Sequence, residues 1–286
     1  MKYNCELPLE LLNEFNIENN DIDFVLFHLY EADEEYKTYY KTLRETHPDR
    51  KMIFDNSAYE YYVRGIELDT DAYVNAIIDL QPDFYLLPDK LMEKDITINM
   101  VKEFLNKYSV KLSNCKSHPM AVIQGNTEDE MMNCLETFQY MGLEDIAVPF
   151  HNSFYTEIHI SPNMRENFAK VYNKNVEELS SEFKYAMGRV VFMMKYMDNF
   201  KHNHPDSYIH MLGSHCPHES YFYENMPIDS MDTGYPVKCA MRGLILYREP
   251  FKPYIIIDDF YKDVIGEYLK KLIKRNMDNF KNHKYE

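Results

Sequence analysis

The sequence predicts a single-domain α/β fold, a (β/α)8 TIM barrel. Short apolar runs alternate with helical segments, and the runs are nearly continuous, as in strands that are buried on both faces of a parallel sheet. Seven such runs lie at residues 22–29, 51–57, 83–87, 120–124, 146–150, 208–213 and 254–257. A count of seven or eight strand–helix units favours a barrel over an open sheet. No linker or internal repeat divides the 286 residues, so we expect one domain over 1–286.

Residues with capping chemistry bound the predicted helices. Thr70 is expected to cap a helix that ends before Pro82. Asn126 or Thr127 is expected to cap the next helix, and Gly142 to stop it. Further helices are predicted at residues 96–108, 180–200 and about 262–284, the last of them basic.

Composition and charge limit the classes of partner. Lys and Arg number 31 against 47 Asp and Glu, a formal charge of −16, so any nucleic-acid contact needs a local basic patch. No apolar run reaches the roughly 18 residues of a membrane span, and the N-terminus has no signal-peptide core. Five scattered cysteines without a secretion signal indicate reduced thiols. We therefore expect a cytoplasmic protein with no membrane contact.

Polar residues follow the predicted strands, which is where TIM barrels carry their chemistry. There is no GxGxxG or GxxxxGK[ST] segment, so the usual nucleotide-binding loops are absent. The strand-end residues are Asp55, Asn56, Ser57, Asp89, Gln124, Gly125, His151, Gly213, Asp229 and Asp232.

Four of these segments resemble motifs of the tRNA-guanine transglycosylase superfamily. Within it, the chain is most similar to the small phage-encoded DNA-guanine transglycosylases, which insert 7-deazaguanines into DNA. FDNSAYE at 54–60 resembles D-S-G-G-F-Q, and AVIQG at 121–125 resembles I-V-Q-G. IHMLGSHCP at 209–217 resembles Y-L-M-G-V-G-x-P, and IDSMD at 228–232 resembles G-I-D-M-F-D. The nineteen-residue interval from Gly213 to Asp232 also agrees with the family's spacing.

The resemblance implies a pentosyltransferase that exchanges guanine in DNA for a 7-deazaguanine, preQ0 or a derivative. Retaining the stereochemistry takes two successive inversions through a covalent glycosyl-enzyme, so one carboxylate acts as nucleophile and a second group as acid and base. By resemblance Asp232 is the nucleophile and Asp55 the acid/base. A turn or capping role for Asp55 and a plain loop position for Asp232 are the alternative interpretations.

The resemblance also implies a pocket for the base. Asp89 would face the N1 and exocyclic amine of guanine, a paired-donor edge that suits a carboxylate. Gln124 would bind the carbonyl edge, Gly125 would allow close approach, and Tyr59 would stack on the base. Each of these roles has an alternative interpretation. Asp89 could be a strand-end residue held by backbone amides, Gln124 a polar strand terminus, and Tyr59 a residue packed in the core. The other implied pocket residues are Asn56, Ser57, Leu212, Gly213 and His151.

The chain departs from the family at its zinc site and in its pocket. Bacterial members carry a C-x-C-x₂-C…H zinc site, but only Cys239 lies in that region here, so we expect a barrel without that subdomain and with no metal or cofactor. The five histidines between 202 and 218 have no sharp metal-binding spacing. The family's D-S-G-G turn is DNSA here, at 55–58, and the family's Gly-Gly after the fifth strand is replaced by PFH at 149–151. Both differences alter the expected base pocket.

Basic residues near the predicted nucleophile indicate a path for DNA. Lys238 and Arg242 are expected to contact the phosphates that flank the target. Residues 270–284 hold six basic residues and one acid, which forms either a phosphate-binding edge or a solvated helix face. The expected partners are DNA and the 7-deazaguanine base, in a host cytoplasm if the protein is phage-encoded. The alternatives to a DNA-modifying enzyme are a tRNA-guanine transglycosylase and a non-catalytic nucleic-acid-binding subunit of the same fold. A homodimer is a further candidate assembly.

Overall fold

Eight parallel strands form a nearly closed barrel in the computed structural model, so the predicted (β/α)8 fold is confirmed. The structure describes residues 1–150, 152–171, 175–179, 181–214, 216, 218–247, 260–262 and 265–283. The strands are β1 (Lys2–Cys5), β2 (Asp23–Leu26), β3 (Met52–Asp55), β4 (Phe84–Leu86), β5 (His118–Val122), β6 (Ile146–Val148), β7 (Ile209–Met211) and β8 (Ser230–Thr233). They are hydrogen-bonded in the order β1-β8-β7-β6-β5-β4-β3-β2.

Helices follow the strands and cover the outside of the barrel. They are α1 (Leu9–Leu11), α2 (Ile17–Asn19), α3 (Phe27–Ala32), α4 (Glu34–Thr46), α5 (Ala58–Arg64), α6 (Thr70–Leu80), α7 (Lys94–Leu112), α8 (Glu128–Tyr140), α9 (Pro162–Val171), α10 (Ser181–Asn203), α11 (Glu219–Tyr223), α12 (Tyr235–Met241) and α13 (Glu267–Lys281). A π-helical turn, Leu12–Asn16, joins α1 to α2, and 3₁₀ turns lie at Ser153–Thr156, Val176–Glu178 and Phe260–Lys262. Across the described ranges, no helix is both long and apolar enough to span a bilayer.

The strand predictions differ from the structure at β1, β2 and β8. The sequence runs did not include β8, because Ser230, Asp232 and Thr233 leave it without a continuous apolar pattern. The run at 22–29 is only half strand, because β2 ends at Leu26 and α3 begins at Phe27. Strand β1 was not predicted, since Asn4 and the exposed Lys2 interrupt its apolar pattern. The predicted run at 254–257 lies outside the described residues.

The caps follow side-chain chemistry. Asp69 caps α6 in place of the predicted Thr70, because its carboxylate accepts the backbone N–H of Ala72 at 3.0 Å. Thr127 caps α8 as predicted, and Gly142 follows that helix in the left-handed region with φ of 79°.

The basic face of α13 packs on the acidic N-terminal segment. The Lys270 Nζ lies 2.6 Å from Glu14, and the Lys281 Nζ lies 2.7 Å from Asp21. Both lysines are therefore held in intramolecular ion pairs, which favours a structural role for this helix. Lys284 lies outside the described residues.

Side chains alternate between the barrel interior and the helical layer. The outward set joins the large core under the helices, whereas the inward set forms a separate apolar cluster. Members of the inward cluster are Phe24, Leu26, Ile53, Phe84, Leu86, Met120, Val122 and Ala147. At the carboxyl ends the same inward positions become polar, and this places Asp55, Gln124 and Asp232 at one end of the barrel.

Asparagine side chains close the seam between β1 and β2. The Asn20 side chain accepts the N–H of Cys5 at 2.7 Å and donates to the Cys5 carbonyl at 3.0 Å, as a neighbouring strand would. Asn4 donates to the Ile22 carbonyl at 3.0 Å. Asn16 accepts from Asn20 and donates to Asp23, so the contacts form one buried network. Side chains thus satisfy strand groups that a backbone ladder satisfies elsewhere.

We expect Asn20→Ala to lower the free energy of unfolding by about 2–4 kcal/mol, because two buried backbone groups of Cys5 lose their partners. Urea denaturation of the variant and the parent protein measures this. Asn106→Ala, at an exposed position of α7, is the matched control and should change stability little. Equal stability of Asn20→Ala and Asn106→Ala would contradict the role given to the seam.

Candidate functional site

A cavity of about 570 Å³ opens at the carboxyl ends of the strands. Its size is within the usual range for small-molecule sites. Residues from the end of every strand, or from the loop after it, contribute to its wall: Glu6, His28, Asp55, Asp89, Gln124, Phe150, Gly213 and Asp232. The barrel therefore gathers chemistry from the whole length of the chain into one volume.

Most of the residues singled out from the sequence line this cavity. They are Asp55, Asn56, Tyr59, Asp89, Gln124, Leu212, Gly213, Asp232 and Lys238. Ser57 and Gly125 are not among the lining residues, and Arg242 is exposed at the end of α12. His151 lies outside the described residues.

Asp232 is held by one of its two oxygens. Its Oδ1 lies 3.0 Å from His210 Nε2 and accepts the backbone N–H of Gly213 at 3.0 Å. Gly213 has a positive φ of 59°, a conformation that a glycine adopts without strain. No residue that the structure describes donates a hydrogen bond to the second oxygen, Oδ2. Asp232 therefore presents an oriented carboxylate with an available oxygen to the cavity.

Asp55 ends β3, and its surroundings favour the protonated acid. Burial raises the pKa of Asp55 well above its usual range, and the negative charges of Glu60, Asp89 and Asp232 raise it further. The backbone N–H of Ser57 donates to its Oδ2 at 3.0 Å and partly offsets this shift. The two carboxyl groups predicted to be catalytic thus have different environments within one cavity.

Asp89 is held by two side-chain amides. Asn56 Nδ2 donates to its Oδ1 at 2.9 Å, and Gln124 Nε2 donates to its Oδ2 at 2.8 Å. Burial raises the pKa of Asp89 to about 6, and both amides oppose the shift. The Gln124 Oε1 accepts the Met92 N–H at 2.9 Å, so both ends of that amide have protein partners. Gln124 therefore orients Asp89, and Asp89 offers the cavity a fixed carboxylate edge.

Two residues predicted to line the pocket, Ser57 and Gly125, instead support residues or elements around it. The Ser57 Oγ lies 3.1 Å from the backbone N of His28 and 3.0 Å from its Nδ1, which fixes a histidine that lines the cavity. A Cβ on Gly125 would lie 2.7 Å from the Glu130 Cβ, so this glycine serves close packing against α8. The expectation that Gly125 admits a base has no support in this geometry.

The sequence did not indicate three further polar residues of the wall. Glu6 follows β1, and Tyr261 donates to its Oε2 at 2.8 Å. Burial raises the pKa of Glu6, and the nearby Lys238 ammonium opposes this. Burial and Glu6 raise the pKa of Glu60 to about 7. Glu6 was missed because β1 was missed, and Glu60 because a carboxylate on a short helix has no distinctive spacing.

A buried arginine supports the floor of the cavity. Arg189 of α10 donates to the carbonyls of Val148, Leu212 and Gly213 at 2.8–2.9 Å. Its Nη1 also lies 3.4 Å from Oε1 of the buried Glu219. These bonds fix the ends of β6 and β7 and with them the N–H that holds Asp232.

Comparison with known proteins adds no relative. No protein-family model matches the chain, and no curated protein matches it either. Within the described ranges, no three His, Cys, Asp or Glu side chains group in a way that could hold a metal ion.

We expect Arg189→Met to lower the free energy of unfolding by about 3–5 kcal/mol, because it leaves Glu219 buried without its cation. Adding Glu219→Gln should recover part of the loss, since it removes the uncompensated charge. A double-mutant cycle in urea measures the coupling. Additive losses in the two single variants would contradict the pairing.

Proposed function

We propose that this protein is a guanine transglycosylase that exchanges guanine in DNA for a 7-deazaguanine such as preQ0. The observation that carries the proposal is the unlike pair of carboxyl groups in one cavity. Asp55 is surrounded so as to keep its proton, and Asp232 is oriented with an available oxygen. Base exchange with retention needs one acid and one nucleophile, which these two residues supply.

The reaction follows from these positions. The Oδ2 of Asp232 attacks C1′ of the nucleotide, and the C1′–N9 bond to guanine breaks as Asp55 gives its proton to the departing base. A 7-deazaguanine then takes the place of guanine. Its N9 proton passes to Asp55, its N9 attacks C1′, and the bond to Asp232 breaks. The two inversions restore the original stereochemistry.

The polar wall suits a guanine-type base. The paired N1–H and exocyclic amine of guanine match the carboxylate edge of Asp89, which two amides hold in place. Tyr59 lines the cavity and leaves 43% of its surface exposed, so its ring can stack on a base that has left the helix. These features favour a purine that carries the guanine hydrogen-bonding edge.

The rim of the cavity offers contacts to a nucleic acid. Lys238 lines the cavity, whereas Arg242 is exposed past the C-terminal end of the same helix and is not among the lining residues. Tyr62 is half exposed, and the Lys90 ammonium lies 5.6 Å from the centre of its ring. Cations for phosphates beside aromatic faces for bases are typical of single-strand binding surfaces, and they favour DNA whose target base is already unstacked.

We expect Asp232→Ala to abolish exchange of labelled guanine into DNA and to abolish the covalent protein–DNA adduct. Asp55→Asn should slow exchange by about 10²–10⁴-fold, because it removes the acid and base. The adduct is measured on denaturing gels, and folding is monitored by circular dichroism. Glu10→Gln, in the N-terminal segment outside the cavity, is the matched control and should exchange at the parent rate.

The same assay with tRNA distinguishes the alternative substrate. If guanine is exchanged into tRNA but not into DNA, the substrate is tRNA and the proposed reaction is unchanged. An adduct that persists in Asp232→Ala would remove Asp232 from the role of nucleophile. A folded parent protein that exchanges into neither polymer would contradict the proposed function.

We expect the affinity for free guanine to fall as the pH is lowered below about 6, by up to tenfold per unit. The pKa of Asp89 is about 6, and only its ionised form accepts both donors of the base. Equilibrium binding of labelled guanine across this range measures the effect. Asp89→Asn should bind weakly at every pH, and an unchanged pH profile in that variant would contradict the assignment.

A further inference from the structure

A chain of three buried side chains lies beneath the cavity. The Ser230 Oγ lies 2.7 Å from His210 Nδ1, and His210 Nε2 lies 3.0 Å from Oδ1 of Asp232. The imidazole is fully buried and stacks on Phe24, with 5.1 Å between ring centres and 18° between ring planes. Neighbouring strands β7 and β8 supply the three residues, so backbone pairing of His210 with Ser230 fixes the geometry.

The partners of the ring define which nitrogen donates. A carboxylate oxygen accepts hydrogen bonds, so Nε2 carries the hydrogen toward Asp232, and Nδ1 accepts the hydroxyl hydrogen of Ser230. The Gly213 N–H reaches the same oxygen of Asp232. Two donors thus converge on Oδ1, while no described residue donates to Oδ2, and Asp232 lines the cavity.

This arrangement affects the two halves of the exchange differently. When Oδ2 attacks C1′, the carboxylate loses negative charge, and donors on Oδ1 do not assist that loss. When the C1′–Oδ2 bond breaks, its electron pair returns to the carboxylate, and the charge shared with Oδ1 is stabilised by both donors. Donors placed where negative charge develops lower the barrier of that step.

We propose that His210 is a positioning residue that orients Asp232 and stabilises its carboxylate as the glycosyl bond to Oδ2 breaks. The inference rests on the proposed function and concerns the second half-reaction. In that step N9 of the incoming base bonds to C1′, the C1′–Oδ2 electron pair goes to Asp232, and the N9 proton goes to Asp55. Ser230 acts through His210 by keeping the hydrogen on Nε2.

The test compares exchange with adduct lifetime in His210→Leu, which removes the donor, and in His210→Gln, whose amide restores one. We expect His210→Leu to exchange labelled guanine about 10²-fold more slowly, because one donor to a developing anion is lost. Its covalent adduct on single-stranded DNA should form with the parent amplitude and persist correspondingly longer. His210→Gln should recover most of the rate, and Ser230→Ala should show the same change to a smaller extent. His204→Gln is the histidine control, because its ring contacts Gln139 and Glu144 on the outside of the barrel.

Two results would overturn the inference alone. The first is an unchanged exchange rate in His210→Leu. The second is that folded His210→Leu and folded His210→Gln both lose exchange and both fail to form the covalent adduct. The second result would mean that the ring only shapes the interior. A parent protein that forms no adduct with DNA or tRNA would overturn the proposed function and this inference with it. Should His210→Leu fail to fold, the lifetimes in His210→Gln and Ser230→Ala decide, and parent lifetimes in both would overturn the inference.

Discussion

A parallel barrel requires that every strand edge finds hydrogen-bonding partners, and the cavity of this protein depends on how that requirement is met between β1 and β2. The Asn20 amide takes the place of a neighbouring strand beside Cys5. On its other edge β1 pairs with β8, which sets Asn4 opposite Asp232. Closure of the barrel therefore determines how far Glu6 and Asp232 lie from the carboxyl groups on the facing strands. The seam combines one backbone hydrogen bond, from the Asp21 N–H to the Tyr3 carbonyl, with the side-chain amides of Asn4 and Asn20.

Convergence of the strand ends buries several carboxyl groups in one cavity, and their environments differ. Burial, and then the charges of Glu60, Asp89 and Asp232, raise the pKa of Asp55 well above its usual range, and its backbone donor only partly offsets this. Asp232 has an imidazole and an amide on one oxygen. Asp89 has two side-chain amides and titrates nearer to neutrality than a free aspartate. Asp55, Asp232 and Asp89, proposed as acid, nucleophile and base-binding edge, thus differ in their burial and hydrogen-bonding partners.

Periodicity predicted the barrel because strands such as β3 and β6 are nearly continuous apolar runs, and β3 ends in the polar Asp55. The same reasoning located most of the cavity, since inward positions at the carboxyl ends must share one volume. It missed β1, whose Asn4 serves the seam and breaks the apolar pattern. It placed His210 among solvated loop and pocket histidines, although alternation with Ile209 and Met211 sets that ring inside the barrel. Buried polar networks have no sequence period, so only coordinates reveal Arg189 beneath the floor.

Arg189 gives the cavity two halves that can change independently. Its guanidinium binds carbonyls at the ends of β6 and β7, including that of Gly213. The Gly213 N–H that donates to Asp232 is therefore fixed by a helix that does not line the cavity. The opposite half comes from α3 and α5, where His28 and Tyr59 line the cavity. Substitutions in α3 and α5 can therefore reshape one wall of the cavity while the floor that orients Asp232 keeps its geometry. For the proposed transglycosylase, this division leaves open an evolutionary path on which base specificity diverges and the reaction stays constant.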